Sequence, residues 1–257
     1  MSPVPPLKNI TILVTRPEGS ADHLLQSITD AGGTALHYPV IRIDDIDNDG
    51  HLNKIIASLT SFNIAIFISP TAVKKTLSRI RSLPTSLTLA AIGKTTASIL
   101  TMSGYKTVIV PDDFNTESLL EHQAFQAENI ANKSIVIFRG VGGRELLGDT
   151  LSQRGATVVY AETYQRTQNS LDSLTATQLS SIDALTISSN EVLQALFDLT
   201  DNSLKPLLTS ISVVVPGERS FKLASELGFK SIIKSQNATD EACIQALINH
   251  FSYLAIH

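Results

Sequence analysis

Six short segments of this 257-residue chain carry hydroxyls, arginines and helix-opening turns: TRPEGS (15–20), SPTAV (69–73), GKTTA (93–97), RGVGGRE (139–145), SSNEV (188–192) and PGERS (216–220). Each follows an apolar run and opens a helical pattern, so each leaves backbone N–H groups without intrahelical partners. Hydroxyls, guanidinium forks and helix N-termini are the groups that bind carboxylate or phosphate. The expected chemistry is recognition of an anionic small molecule at the carboxyl ends of strands, where open α/β sheets hold their ligands. For any single Ser or Arg, a helix cap or a surface cation is the commoner role; the set together points to a site.

Other chemistries are excluded by missing residues. GKTT lacks the upstream Gly of a P-loop, and Glu145 stands where a dinucleotide fingerprint needs its third Gly. The histidines (His23, His37, His51, His122, His250 and His257) show no metal-ligand spacing with Cys or acids. No G-x-S-x-G elbow supports a serine nucleophile. Asp44, Asp45, Asp47 and Asp49 read as a solvated polar loop. The expected site is a cleft of hydroxyls, amides and Arg that uses no cofactor and no metal.

The elements that must position these loops repeat along the chain. The stretch from Ile12, ILVTRPEGSADHLLQSITDAGG, matches that from Ile135, IVIFRGVGGRELLGDTLSQRGA. IAIFISPTAV from Ile64 matches DALTISSNEV from Asp183, which aligns Ser69 with Ser188. LTLAAIGKTTASIL from Leu87 matches ISVVVPGERSFKLA from Ile211, aligning Thr96 with Ser220. The common offset of about 120 residues reads as duplication of one domain rather than a short-period solenoid. Short continuous apolar strands alternating with helices imply parallel sheets covered on both faces. Each domain should hold about five strands in the flavodoxin-like, doubly wound manner. Gly104, Gly155 and Gly228 fall where helices should end. Repetition alone leaves two partitions open. One is a tandem cut near residue 125; in the other the first unit packs with the last two, and YPVIRI and AETYQRT pair as a two-stranded link.

Composition sets the limits. A hydrophobic content of 43% with 17% charged residues supports buried cores in two domains. The net charge of −4 argues against nucleic acid as a partner. No run approaches the roughly 20 apolar residues of a membrane span, and the proline-bearing start, MSPVPPLKNI, reads as a loose lead-in without a signal segment. The single cysteine, Cys243, reads as a core thiol in the last helix and suits a reducing compartment. The expected location is the cytoplasm.

The blocks VTRPEGSADHLLQSITDAGG, IFISPTAV, AAIGKTTASIL, FRGVGGRELLGDTLSQRGATVVYAETYQRT and SSNEVLQAL together resemble the uroporphyrinogen-III synthase family. They cover roughly residues 10 to 230, and their order and spacing are more specific than any one of them. PGERS departs from a common family form that repeats Gly-x-x-Thr at that place.

The resemblance implies a cyclising hydro-lyase of porphyrin and haem biosynthesis. Such an enzyme converts the linear tetrapyrrole hydroxymethylbilane to uroporphyrinogen III, with loss of water and inversion of the last ring, and uses neither cofactor nor metal. The resemblance also implies a discontinuous first domain, residues 1–37 with 168–257, and a second of 43–163. The segments 38–42 and 164–167 form the two-stranded link, with the site in the cleft between the domains. Tyr164 matches a family tyrosine and is the expected proton donor to the departing hydroxyl, because a tyrosine hydroxyl keeps its proton at neutral pH. Arg16, Ser69, Thr96, Arg139, Gly140, Arg144, Ser188 and Ser220 are the expected substrate-binding residues. A monomer is expected, with transient contact to the preceding enzyme of the pathway. The rival reading is a non-catalytic two-domain protein that binds a carboxylated or phosphorylated small molecule.

Overall fold

The computed structural model describes residues 5–113, 115–169 and 172–254. Residues 1–4 of the lead-in and His257 lie outside the described residues. The strands are β1 (Thr11–Val14), β2 (Thr34–His37), β3 (Ile41–Asp44), β4 (Ile64–Phe67), β5 (Thr88–Ala91), β6 (Val108–Ile109), β7 (Ser134–Gly140), β8 (Thr157–Gln168), β9 (Ala184–Thr186), β10 (Ser212–Pro216) and β11 (Ile232–Ser235). Helices alternate with most of them. The chain divides into two compact units, Met1–Ile43 with Thr167–His257, and Asp44–Arg166.

One sheet runs β11-β10-β9-β1-β2, and the other β3-β8-β7-β4-β5-β6. Pairing is parallel throughout β11-β10-β9-β1-β2 and throughout β8-β7-β4-β5-β6. Numbered along the chain, the first set has the spatial order 2-1-3-4-5, the flavodoxin order. The second has the order 3-2-1-4-5; counting from β7 instead of β4 turns it into the first. The two sheets thus share one arrangement, entered by the chain at different strands. Each has a switch point where neighbouring strands send their connections in opposite directions: β1 beside β9, and β4 beside β7.

Side-chain alternation explains why the strands are apolar throughout. Leu13, Leu185, Val213 and Val215 enter one buried cluster of the first unit, whereas Ile12, Val14, Ala184 and Val214 enter another. Successive residues of a strand face opposite sides, so both faces of this sheet are covered. In the second unit Ile64, Ile66, Ile135 and Ile137 pack with Leu119, Phe125, Leu147 and Leu151. Gly104, Gly155 and Gly228 follow helix ends with φ of 97°, 89° and 91°, the left-handed conformation expected of them.

Two expectations need correction. The start of the chain is not loose from Pro5 onward: Leu7 is fully buried and its N–H donates to Ala31 O at 3.0 Å. An apolar side chain this close to the first strand is worth more buried than exposed. The side chains of Asp45 and Asp49 are solvent-exposed, as expected of a polar loop, and pair at the surface with Lys75 and Arg79, each at 2.8 Å. Finally, Ser69 corresponds by its capping role to Ser189 rather than Ser188. Ser69 Oγ accepts the Ala72 N–H, and Ser189 Oγ accepts the Val192 N–H. Both cap a helix from the position just before it, Pro70–Leu77 and Asn190–Leu199, which moves the match by one residue.

Candidate active site

In the Asp44–Arg166 unit the switch point is held by aromatic packing. Phe67 pairs with Phe138, their rings stack at 4.6 Å, and the Ile68 N–H donates to Phe138 O at 3.2 Å. The chain then delivers Ser69 from one strand end and Gly140 from the other. β8 lies beside β7 and carries one extra residue, Thr163, between the pairs Arg139–Glu162 and Gly140–Tyr164. Such a bulge re-aims the side chains around it. Here the Tyr164 ring comes to rest against Gly140, with only 1% of the residue exposed.

The Tyr164 hydroxyl has two protein partners. Ser69 Oγ lies 3.1 Å from it, and the Arg166 Nη2–H donates to it at 3.0 Å. The Arg166 guanidinium carbon also stands 5.2 Å from the centre of the Tyr164 ring. Ser69 thus caps a helix and touches the phenol with the same oxygen.

Arg139 is buried and already engaged. Nη1 donates to Glu145 at 2.9 Å and Nη2 to Glu162 at 3.2 Å, while the guanidinium lies 3.7 Å above the Tyr160 ring. Its Nε is buried without a hydrogen-bond partner. Glu162 Oε1 also accepts the Gly142 N–H at 3.3 Å, and the Tyr160 hydroxyl donates to Glu145 O at 3.3 Å. The side chains around Arg139 therefore pin the loop that follows β7. The hydrogen bond from Arg139 holds the Glu145 carboxyl below its usual range, and burial is the main cause raising the Tyr160 hydroxyl. Arg144 is exposed and pairs with Glu117 at 2.6 Å. Arg139 and Arg144 line a cavity of about 230 Å³ with Ile68, Ile92 and Tyr160.

Thr96 is the third residue after Gly93, in the helix Lys94–Met102, and is 3% exposed. Ser220 holds the same place after Gly217, in the helix Gly217–Glu226. It is also buried, and its Oγ donates to Asn190 Oδ1 at 2.6 Å.

In the other unit the switch point is tied by Thr15, whose Oγ1 donates to Thr186 O at 2.6 Å. Arg16 Nη2 donates to Ala238 O at 2.7 Å. Its Nη1 stands 2.8 Å from Asp240 Oδ1, an ion pair lacking hydrogen-bond alignment. Ser188 and Ser220 share a cavity of about 600 Å³ with Asn190, Arg219 and Asn237.

The fold therefore brings Ser69, Gly140 and Tyr164 together in one unit and Ser188 and Ser220 in the other. Arg16 and Arg139 sit at the expected strand ends with acids as partners. Arg166, Ser189, Asn190, Arg219 and Asn237 were not among the expected site residues. Ser189, Asn190 and Arg219 lay in the helix-opening segments SSNEV and PGERS, and Arg166 lies two places beyond Tyr164 on a strand, where side chains return to the same side; Asn237 carried no such signal. Among the described residues no three His, Cys, Asp or Glu side chains converge as a metal ion would require.

The chain matches known proteins over most of its length. The sequence model of the family described as uroporphyrinogen-III synthase HemD matches residues 22–245. The uroporphyrinogen-III synthase of Escherichia coli (strain K12) is 34% identical over 247 residues, covering 93% of this chain and all of that protein. A putative uroporphyrinogen-III synthase of Methanothermobacter thermautotrophicus is 27% identical, over 85% of this chain and 90% of its own. In structure, a mutant uroporphyrinogen III synthase of the extremely thermophilic bacterium Thermus thermophilus superposes with a TM-score of 0.62 at 15% identity, over 96% of this chain and all of that one. The enzyme of Helicobacter pylori 26695 gives 0.59 at 16% identity, over 94% and 99%. At those identities the structural likeness concerns the fold.

Proposed function

The chain belongs to the uroporphyrinogen-III synthase family, and from this we propose how its residues carry out the family's reaction. Hydroxymethylbilane is cyclised to uroporphyrinogen III with loss of water and inversion of the last ring. A pyrrole nitrogen pushes electrons toward the hydroxymethyl carbon, so hydroxide leaves readily once it is protonated. A mild acid suffices, and Tyr164 is our candidate for it. The substituted carbon of the last ring then attacks the azafulvene, the spiro intermediate fragments, and the ring recloses inverted. Closure at the unsubstituted carbon expels a proton, which restores the donor.

The observation that carries this reading is the Tyr164 hydroxyl held by Ser69 at the switch point, 3.1 Å away. That is where an open α/β sheet binds its ligand. The rest of catalysis is positioning: one approach of the last ring must be held at reacting distance and the competing approach blocked. We propose that Ser188, Ser220, Thr96 and the amides at their helix starts bind the substrate's acetate and propionate groups, with Arg16 and Arg144 adding charge. Arg139 contributes by fixing the loop from Gly140 to Glu145. Among the described residues no helix is long and apolar enough to cross a membrane. We further propose a cytoplasmic monomer that meets the preceding pathway enzyme only transiently; the lone buried Cys243 suits a reducing compartment.

The test is isomer analysis. Freshly generated hydroxymethylbilane is supplied with and without the protein, the products are oxidised to porphyrins, and isomers I and III are separated. A shift from mainly isomer I to mainly isomer III is expected. An unchanged ratio with folded protein would remove the reading.

A further inference from the structure

The phenol oxygen of Tyr164 can give one hydrogen bond and accept others. Arg166 fills one acceptor place at 3.0 Å. Ser69 lies at 3.1 Å and can stand on either side of that bond. Ser69 Oγ already accepts the Ala72 N–H, also at 3.1 Å, so it retains one acceptor place and its own proton. Tyr164 is almost wholly buried, whereas Ser69 is only half-buried and Arg166 is exposed. A proton leaving the phenol toward bulk or ligand therefore has Ser69 as its nearest carrier, and the charge left behind has Arg166 as its nearest counter-ion.

We propose that Arg166, Tyr164 and Ser69 form one hydrogen-bonded relay in which Ser69 meets the departing hydroxyl and Arg166 positions and charge-balances Tyr164. This rests on the reading of Tyr164 as the proton source. As the carbon–oxygen bond of the hydroxymethyl group breaks, Ser69 Oγ gives its proton to the leaving oxygen and takes the proton of Tyr164. Water leaves, and the phenolate remains beside the guanidinium. When the ring closes, the proton expelled from the last ring's carbon returns through Ser69 to Tyr164. Atoms and charge balance without any further reactant. Arg166 is a positioning residue here, and its exposure to water limits what its charge contributes.

Arg166 acts through Tyr164, and Ser69 can pass on a proton only while Tyr164 resupplies it, so both lose their effect once that hydroxyl is gone, and that dependence is measurable. The full-length chain is compared with Tyr164→Phe, Arg166→Gln, Arg166→Lys, Ser69→Ala and the double variants Tyr164→Phe/Arg166→Gln and Tyr164→Phe/Ser69→Ala. For each, kcat and KM are measured on fresh hydroxymethylbilane, with circular dichroism as the folding control. Arg166→Gln and Ser69→Ala should each lower kcat about tenfold, with KM nearly unchanged and Arg166→Lys restoring most of the rate. In the Tyr164→Phe background either change should cost under about twofold.

A full additional loss in that background, or a rise in KM at unchanged kcat, would overturn the relay and make Arg166 a carboxylate ligand of the substrate. Tyr164→Phe at full rate would instead remove the underlying reading, so the two failures are distinct. If Arg166→Gln does not fold, the Ser69 cycle decides alone.

Discussion

The ring of Tyr164 occupies the space that a side chain on Gly140 would need. A β-carbon built on Gly140 would stand 2.7 Å and 2.8 Å from Cε2 and Cζ of that ring and 3.1 Å from its hydroxyl. The glycine therefore matters for what it lacks, and its expected part in substrate binding is joined by a steric one.

Gly140→Ala should push Tyr164 away from Ser69. Overpacking of this kind costs about 1–3 kcal/mol. The expected result is a lower Tm together with a loss of about tenfold or more in kcat, because small misplacements of reacting groups are costly. Denaturant unfolding and steady-state kinetics on one preparation check this. Wild-type kcat in the variant would mean that the position of the Tyr164 ring does not govern the rate.

Ser69 caps a helix and touches Tyr164, whereas Thr175 caps one as part of a capping box with Gln178. Ser69→Ala and Thr175→Ala should each destabilise the protein by about 1 kcal/mol, the usual worth of a cap. Only Ser69→Ala should also lower kcat. Equal kinetic effects from the two would assign the Ser69 effect to lost stability alone.

Arg139→Met removes both carboxylate contacts and should cost roughly 1–3 kcal/mol near neutral pH, less than a fully buried pair because both acids are partly exposed. The pH dependence has a defined sign. Arg139 depresses the Glu145 carboxyl below its ordinary value of 4.5 in the folded state. Its stabilising contribution is therefore complete above the unfolded value and disappears as pH falls through the lowered folded one. Thermal unfolding between pH 7 and pH 3 should show the gap between wild type and variant narrowing below about pH 4.5. A constant gap would locate the Arg139 contribution in its packing on Tyr160.

Cys243 is 6% exposed, and burial pushes its thiol up to about 12. The thiolate is the reactive form, so the native protein should resist a neutral-pH thiol reagent and react fully on denaturation. Stoichiometric labelling of the folded protein at neutral pH would contradict this placement.

Much of the architecture was legible because it rests on local signals. Apolar runs such as Ile64–Phe67 mark strands buried on both faces, and Gly104, Gly155 and Gly228 mark helix ends because only left-handed backbone fits there. Tyr164 was singled out through family resemblance, as a candidate. Its environment was not legible. The closeness of Ser69 and Tyr164, 95 residues apart, depends on which strands neighbour each other and on a bulge at Thr163, and neither has a local sequence signature. The partners of Arg16 and Arg139 were hidden for the same reason: an arginine at a strand end reads as a free cation until tertiary packing sets Asp240, Glu145 and Glu162 beside it. The one-residue offset between Ser188 and Ser189 needed geometry too, because adjacent serines read alike in sequence and only the turn decides which oxygen meets the helix N–H. Periodicity and turn chemistry determined the elements of this protein. Their register and packing decided which side chains share a site, because a site is assembled from contacts that sequence neighbours do not make.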